Sequence, residues 1–129
     1  MGHATNALVL IVEDHDDTAQ LYAEYLASLG FRTHTAGSTG AALQILTTGA
    51  FDAVVLDHSL PDADGLTLAR QIRARTDRPQ PALIALTGRT PNEPSDDTAL
   101  FDAYLVKPCL PDELAKVLSR SIIARGRPR

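Results

Sequence analysis

The sequence predicts a single α/β domain built on a parallel β-sheet of five strands. Short apolar runs rich in β-branched residues alternate with segments whose apolar residues recur at helical spacing. This alternation is typical of a parallel sheet covered by helices. The 129 residues are enough for one domain with a sizeable core, and no internal repeat or low-complexity segment interrupts them.

The first two strands and helices are predicted between residues 8 and 46. Leu8–Val12 is a continuous apolar run, which predicts a strand buried on both faces. An amphipathic helix follows and can end at Gly30, after which Phe31–Ala36 is predicted to be the second strand. Ser38 is suited to cap a helix that runs through Leu46. The apolar face of the first helix is formed by Tyr22, Tyr25, Leu26 and Leu29.

The third strand is predicted at Ala53–Leu56 and ends on Asp57. Turn residues mark Leu60–Gly65 as a loop. A third helix follows the loop and ends before Pro79, because proline cannot continue a helix. Its apolar face is formed by Leu66, Ala69 and Ile72.

The last two strands, Ala82–Leu86 and Tyr104–Val106, flank a region that breaks the pattern. Pro91 and Pro94 lie in this region, so the fourth helix expected there must be short or irregular. The final helix begins at Pro111, because proline is favoured at the first helical position. Its apolar face is formed by Leu114, Val117, Leu118 and Ile122.

Polar side chains follow four of the five predicted strands. Because the carboxyl ends of parallel strands meet at one edge of the sheet, these side chains are expected to meet in one crevice. They are Glu13 and Asp14 after the first strand, Asp57 after the third, Thr87 after the fourth and Lys107 after the fifth.

The chemistry of this set points to phosphoryl transfer. Three carboxylates repel one another unless a cation lies between them, and Mg²⁺ favours a few carboxylates together with phosphate oxygens. Asp57 can act as a nucleophile and form an aspartyl phosphate. The Lys107 ammonium and the Thr87 hydroxyl can then bind the phosphoryl oxygens, where charge must be stabilised.

Each of these residues also has a structural interpretation. Asp57 can cap a turn, and Glu13 and Asp14 can supply favourable charge at a helix start. Thr87 can be a turn residue, and Lys107 can be a surface lysine. His15 and His58 have no ligand spacing to a further His or Cys, so we expect packed or solvated histidines there. Cys109 is expected to be a packed or partly exposed thiol and not a nucleophile.

Four segments, in order and at characteristic separations, make the chain resemble the receiver domains of two-component response regulators from Leu8 to about Ile123. The resemblance implies a flavodoxin-like fold, Mg²⁺ dependence, and phosphorylation by a histidine kinase or a histidine phosphotransfer protein. The segments are Val12-Glu13-Asp14, Leu56-Asp57 with the loop Leu60–Gly65, Leu86-Thr87-Gly88, and Tyr104-Leu105-Val106-Lys107-Pro108.

The resemblance also implies a role for each matching residue. Asp57 is the acceptor, and the metal ligands are Glu13, Asp14, Asp57 and the backbone carbonyl of Ser59. Thr87 is the switch hydroxyl, Tyr104 the switch aromatic residue and Lys107 the phosphate-pairing lysine. The peptide bond between Lys107 and Pro108 is expected to be cis, which proline permits.

The chain departs from the family pattern at three places. His58 stands where an aliphatic residue is usual, and Leu100 stands where glycine is common. The segment from Arg89 to Thr98 contains prolines and is slightly short. These departures fall largely on the family's output and dimer surface, so a monomer or a weak homodimer is expected, with an unidentified downstream protein as partner.

Composition limits the partners and the cellular location that are expected for the domain. The net charge of −4 argues against a nucleic-acid partner, and no apolar run approaches the roughly 18 residues that span a bilayer. A single cysteine, Cys109, excludes an internal disulfide and favours a cytoplasmic location. We expect an extension at residues 1–7, the receiver domain at 8–123 and a basic tail at 124–129.

Two other functions are open at this point. A phosphorylation-independent protein-binding module on the same fold is the main alternative to the switch. A phosphatase-like or nucleotide-binding enzyme is disfavoured, because the chain has no glycine-rich phosphate loop.

Overall fold

The computed structural model describes residues 6–57, 65–75, 79–88 and 98–126. Five parallel strands form one sheet in the order β2-β1-β3-β4-β5. The strands are β1 (Leu8–Val12), β2 (Arg32–Ala36), β3 (Ala53–Asp57), β4 (Ala82–Thr87) and β5 (Ala103–Val106). The described helices are α1 (Asp16–Ser28), α2 (Thr39–Leu46), α3 (Gly65–Arg73) and α4 (Pro111–Ala124). The predicted α/β fold is therefore confirmed.

The sheet is buried between two apolar cores. Successive side chains of a strand point to opposite faces, so Val9 and Ile11 of β1 join the core under α1 and α4, while Leu10 and Val12 join the core under α2 and α3. All four side chains are almost completely inaccessible to solvent. This two-sided burial explains why the strands of the sequence are continuous apolar runs.

Local signals in the sequence set several element ends. The Ser38 hydroxyl accepts a hydrogen bond of 3.2 Å from the Ala41 N–H and caps α2, as predicted. Gly30 follows α1 with φ at +102°, a conformation that glycine adopts without the strain of a Cβ atom. Pro111 is the first residue of α4, also as predicted.

The region between β4 and β5 contains one short 3₁₀ turn, at Thr98–Leu100, in the part that the structure describes. The short or irregular helix predicted there falls largely on residues 89–97, which lie outside the described residues. None of the described helices combines the length and the apolarity that a membrane crossing requires.

Asp102 fixes the amino-terminal end of β5. Its carboxylate accepts a hydrogen bond of 2.8 Å from the Leu83 N–H of β4 and pairs at 3.0 Å with both Arg73 and Arg125. The Arg73 guanidinium also donates to the Leu100 carbonyl at 3.0 Å. This cluster ties the ends of α3 and α4 to the sheet, at the edge opposite to the carboxyl ends of the strands.

Candidate metal and phosphoacceptor site

The carboxyl ends of β1, β3 and β5 border a crevice. β1 pairs with β3 in the centre of the sheet, with Val12 opposite Leu56, so the residues that end these strands lie side by side. The described residues that line the crevice come from the strand ends, from α1 and from the segment after β5. They are Glu13, Asp14 and Asp57; His15, Thr18 and Tyr22; and Lys107, Pro108 and Cys109.

The three predicted carboxylates converge in this crevice. Glu13, Asp14 and Asp57 each offer an oxygen atom, and these atoms all lie within 4.8 Å of one another. Glu13 and Asp57 are buried, whereas Asp14 is exposed. Two buried acids and one exposed acid form a partial set of oxygen ligands that is open to solvent on one side, which suits Mg²⁺ better than a closed protein cage does.

An unsatisfied oxygen atom supports the fit to a cation. Among the described residues, Glu13 Oε1 is the one buried side-chain oxygen or nitrogen atom that has no hydrogen-bond partner. The other oxygen, Oε2, accepts a hydrogen bond of 3.2 Å from the His15 N–H. Buried polar atoms are nearly always satisfied in native proteins, so an ion is a physically reasonable partner for Oε1.

Lys107 places its charge against the acidic cluster. Its Nζ lies 3.0 Å from Asp57 Oδ1 and 3.8 Å from Glu13 Oε1. Its backbone N–H donates a hydrogen bond of 2.7 Å to the Thr87 carbonyl, which continues the pairing of β4 and β5 by one residue. The peptide bond between Lys107 and Pro108 is cis, as the resemblance implies.

Burial shifts the acidity of Glu13. Removal from water, followed by the nearby Asp57 carboxyl group, raises the pKa of Glu13 from 4.5 to about 7. The His15 N–H and the Lys107 ammonium oppose this rise. The cluster therefore binds a proton near neutral pH when no cation is present, because two buried carboxylates side by side are costly.

The two predicted switch residues lie on β4 and β5, the neighbouring strands that end beside Lys107. Thr87 ends β4 at the same sheet edge and is buried, but it is not among the described lining residues. Tyr104 is half-buried on β5, with its ring 5.1 Å from that of Phe101 in an edge-on arrangement. Ser59 and His58 lie outside the described residues.

Tyr22 is a crevice residue that the sequence assigned only to the core face of α1. Its side chain is buried, and its hydroxyl donates a hydrogen bond of 2.8 Å to the Cys109 carbonyl. A buried tyrosine usually has a hydrogen-bond partner for its hydroxyl, so a tyrosine on the core face of a helix is expected to make such a bond. The partner lies 87 residues away in the sequence, however, so spacing alone does not identify it.

The family is established by comparison with known proteins. The model of the response regulator receiver domain family matches residues 9–119, and the chain belongs to this family. Members are phosphoacceptor switches of two-component systems, interact with histidine kinases or phosphotransfer proteins, and generally use Mg²⁺. The acidic cluster of Glu13, Asp14 and Asp57 fits the Mg²⁺ site and the phosphorylated aspartate of such a domain.

Two curated relatives are matched over most of this chain. The chain is 32% identical over 114 residues to the sensor histidine kinase AtsR of Burkholderia thailandensis, covering 86% of this chain and 19% of that protein. It is 31% identical over 121 residues to the probable transcriptional regulator ycf27 of Cyanidium caldarium, covering 94% of this chain and 48% of that protein. The chain thus spans half or less of the length of each.

Two solved structures share the fold. The response regulator receiver domain (CheY-like) from Methylobacillus flagellatus has a TM-score of 0.82 at 35% identity, over 92% of this chain and 99% of that chain. The response regulator protein TrrA from Thermotoga maritima, in complex with Mg²⁺-BeF, has a TM-score of 0.73 at 30% identity, over 84% of this chain and 92% of that chain.

Proposed function

We propose that this chain accepts a phosphoryl group on Asp57 from a phosphohistidine of a histidine kinase or phosphotransfer protein. The observation that supports this acceptor is its position. Asp57 is the last residue of a central strand, is buried within an acidic cluster, and has the Lys107 ammonium 3.0 Å from its Oδ1. Lys107 pairs with two of the three clustered carboxylates, and its ammonium lies closer to Asp57 than to Glu13.

The transfer uses Asp57 as the nucleophile. A carboxylate oxygen attacks phosphorus, a P–O bond forms, and the P–N bond to the imidazole of the donor breaks. The electron pair of the broken bond stays on the imidazole nitrogen. Lys107 stabilises the negative charge on the phosphoryl oxygens, and the Thr87 hydroxyl donates a hydrogen bond to one of them. Each chain takes up one phosphoryl group, so we expect stoichiometric uptake rather than repeated turnover.

Mg²⁺ is proposed to be held by Glu13, Asp14 and Asp57, with the Ser59 backbone carbonyl added on the family resemblance alone. When bound, it neutralises carboxylate and phosphoryl charge. The protein side chains do the rest: Glu13 and Asp14 hold the ligand oxygens beside the acceptor, and Lys107 balances the charge that remains.

The phosphorylated state is proposed to act through protein contacts. The phosphoryl group adds about −1.5 to −2 charge units at one end of the sheet. Thr87 then moves toward it, and Tyr104 turns inward from its half-buried position. A preference of a few kcal/mol for the active arrangement is enough to shift most of the population. We propose a cytoplasmic location, where ATP is available to the kinase that forms phosphohistidine.

The experiment that tests this function is phosphorylation by a small-molecule donor. The wild-type chain is incubated with Mg²⁺ and acetyl phosphate, and its intact mass is compared with that of Asp57→Asn and of Asp17→Asn, an exposed aspartate on α1. A gain of one phosphoryl group in the wild type and in Asp17→Asn, but not in Asp57→Asn, supports the proposal. No gain, with no effect of beryllofluoride on the NMR spectrum, favours the phosphorylation-independent binding module.

A further inference from the structure

Tyr22 connects the two sides of the crevice. It lies on α1, the helix that follows Glu13 and Asp14, and its side chain is 5% exposed. Its hydroxyl donates to the Cys109 carbonyl at 2.8 Å, in the segment that follows Lys107. The hydrogen bond therefore joins the acidic side of the crevice to the side that carries the lysine.

The segment from Lys107 to Leu110 links β5 to α4, and it is held at two points. At its start, the Lys107 N–H donates to the Thr87 carbonyl at 2.7 Å. Two residues later, the Cys109 carbonyl accepts the Tyr22 hydrogen bond, and the Cys109 side chain packs in the same core as Tyr22. The backbone of Lys107 is thus fixed on both sides in the sequence.

The placement of the Lys107 ammonium depends on this backbone. The side chain is 37% exposed, and among the described residues its charged partners are Asp57 and Glu13. The lysine side chain is long, so a small rotation of its backbone moves the ammonium farther than it moves the Cα atom, and the ordered position also has to outweigh the rotamer entropy of the stem. Catalysis by a positioned charge is sensitive to such displacements, because a shift of about 1 Å can cost up to 100-fold in rate.

The Tyr22 hydroxyl remains a donor over the working pH range. Burial raises its pKa to about 12, and the negative charges expected nearby act in the same direction. The Tyr22 hydroxyl therefore keeps the proton that it donates to the Cys109 carbonyl at neutral pH.

We propose that Tyr22 is a positioning residue for phosphoryl transfer, which holds Lys107 in register with Asp57 through the Cys109 carbonyl. The proposal rests on the proposed function, since it assigns the effect of Tyr22 to the lysine that serves the phosphoryl group. Tyr22 does not contact the reacting atoms, and its effect is carried by the backbone between Lys107 and Cys109.

The test compares Tyr22→Phe with Tyr25→Phe. The two changes remove the same atom from neighbouring turns of α1, and the Tyr25 hydroxyl makes no hydrogen bond among the described residues. At saturating Mg²⁺ and well below the unfolding temperature, Tyr22→Phe is expected to slow uptake of phosphate from acetyl phosphate about fivefold, the equivalent of one ordinary hydrogen bond. Tyr25→Phe is expected to keep the wild-type rate.

A second measurement separates positioning from loss of stability. The Lys107 ammonium is followed by ¹⁵N NMR, where its ion pair with Asp57 slows exchange of its protons with water. Tyr22→Phe is expected to speed this exchange, and Tyr25→Phe to leave it unchanged. A wild-type rate for Tyr22→Phe overturns the proposal, and so does a slower rate with an unchanged Lys107 signal. If the wild-type chain takes up no phosphate, the proposed function fails, while the NMR comparison still tests whether Tyr22 holds Lys107.

Discussion

At the residue scale, Glu13 is a buried carboxylate that costs stability and is suited to binding a cation. Its side chain is 3% exposed, it lies beside the Asp57 carboxyl group, and Oε1 has no hydrogen-bond partner among the described residues. A buried carboxylate in this position lowers the stability of the domain, yet it is chemically suited to a cation. Sites that are organised for ligand binding are often less stable for this reason.

The raised pKa of Glu13 predicts how stability depends on pH in the absence of divalent cations. The folded state binds the proton more tightly than the unfolded state, so the stabilising contribution is fully present below pH 4.5 and is lost as pH rises through about 7. Glu13→Gln cannot lose this proton. The wild type loses this contribution as the pH rises, and the variant does not. The free energy of unfolding of Glu13→Gln minus that of the wild type should therefore increase by about 2 to 3 kcal/mol between pH 4.5 and pH 8.

Urea unfolding in EDTA at several pH values measures this difference. Glu24→Gln, an exposed glutamate of α1, is the matched control and should give no such trend. If the difference between Glu13→Gln and the wild type stays constant from pH 4.5 to pH 8, the pKa of Glu13 is not raised by its surroundings.

At the scale of elements, the two ends of β5 have different roles: one anchors the strand, and the other positions a residue of the crevice. The amino-terminal end is fixed by the Asp102 cluster, and the carboxyl-terminal end delivers Lys107 to the crevice. The sequence shows Asp102 only as a polar residue before a strand. Its partners Arg73 and Arg125 are 29 and 23 residues away, and nothing in the local pattern indicates them.

Removal of the Asp102 carboxylate should destabilise the domain without affecting the chemistry of the crevice. Asp102→Ala leaves the Leu83 N–H without its side-chain acceptor and the partly buried Arg73 without its anion. We expect a loss of about 2 to 4 kcal/mol in the free energy of unfolding. Urea unfolding measures it, with the exposed Glu24→Ala of α1 as control.

Measuring phosphate uptake by Asp102→Ala shows whether the substitution affects phosphoryl transfer as well as stability. Asp102→Ala should still take up one phosphoryl group at a temperature where it remains folded, since Asp102 lies at the opposite end of β5 from Lys107. If Asp102→Ala lowers the free energy of unfolding by less than about 0.5 kcal/mol, the range of ordinary surface substitutions, the Asp102 cluster contributes little to stability.

For the whole molecule, Mg²⁺ is expected to stabilise the fold. A ligand that binds only the folded state raises the free energy of unfolding, by about 2.7 kcal/mol at 100 times its dissociation constant. Wild-type protein at pH 8 should therefore show a higher unfolding midpoint in Mg²⁺ than in a potassium salt of equal ionic strength. Asp14→Asn should lose most of this increase, because Asp14 is one of three carboxylates in the cluster. An equal increase in both proteins would place the binding elsewhere.

The alternation of apolar runs and helical patterns predicts the strands and helices that the structure describes, and their α/β class. The continuous apolar run of β1 predicts burial on both faces, and Val9, Leu10, Ile11 and Val12 enter two different cores. Strand order does not follow from local patterns, because it depends on which strands pair across the sheet. The Tyr22 bond and the Asp102 cluster were missed for the same physical reason: they join residues that only the folded chain brings together.

The most direct test of the central claim is to locate the phosphoryl group on the chain. After incubation with Mg²⁺ and acetyl phosphate, borohydride reduces an acyl phosphate to an alcohol and so converts a phosphorylated aspartate to homoserine. Peptide mass spectrometry should find homoserine at position 57 and aspartate at positions 14 and 17. Homoserine at another aspartate, or at none in a chain that has gained a phosphoryl group, would contradict Asp57 as the acceptor.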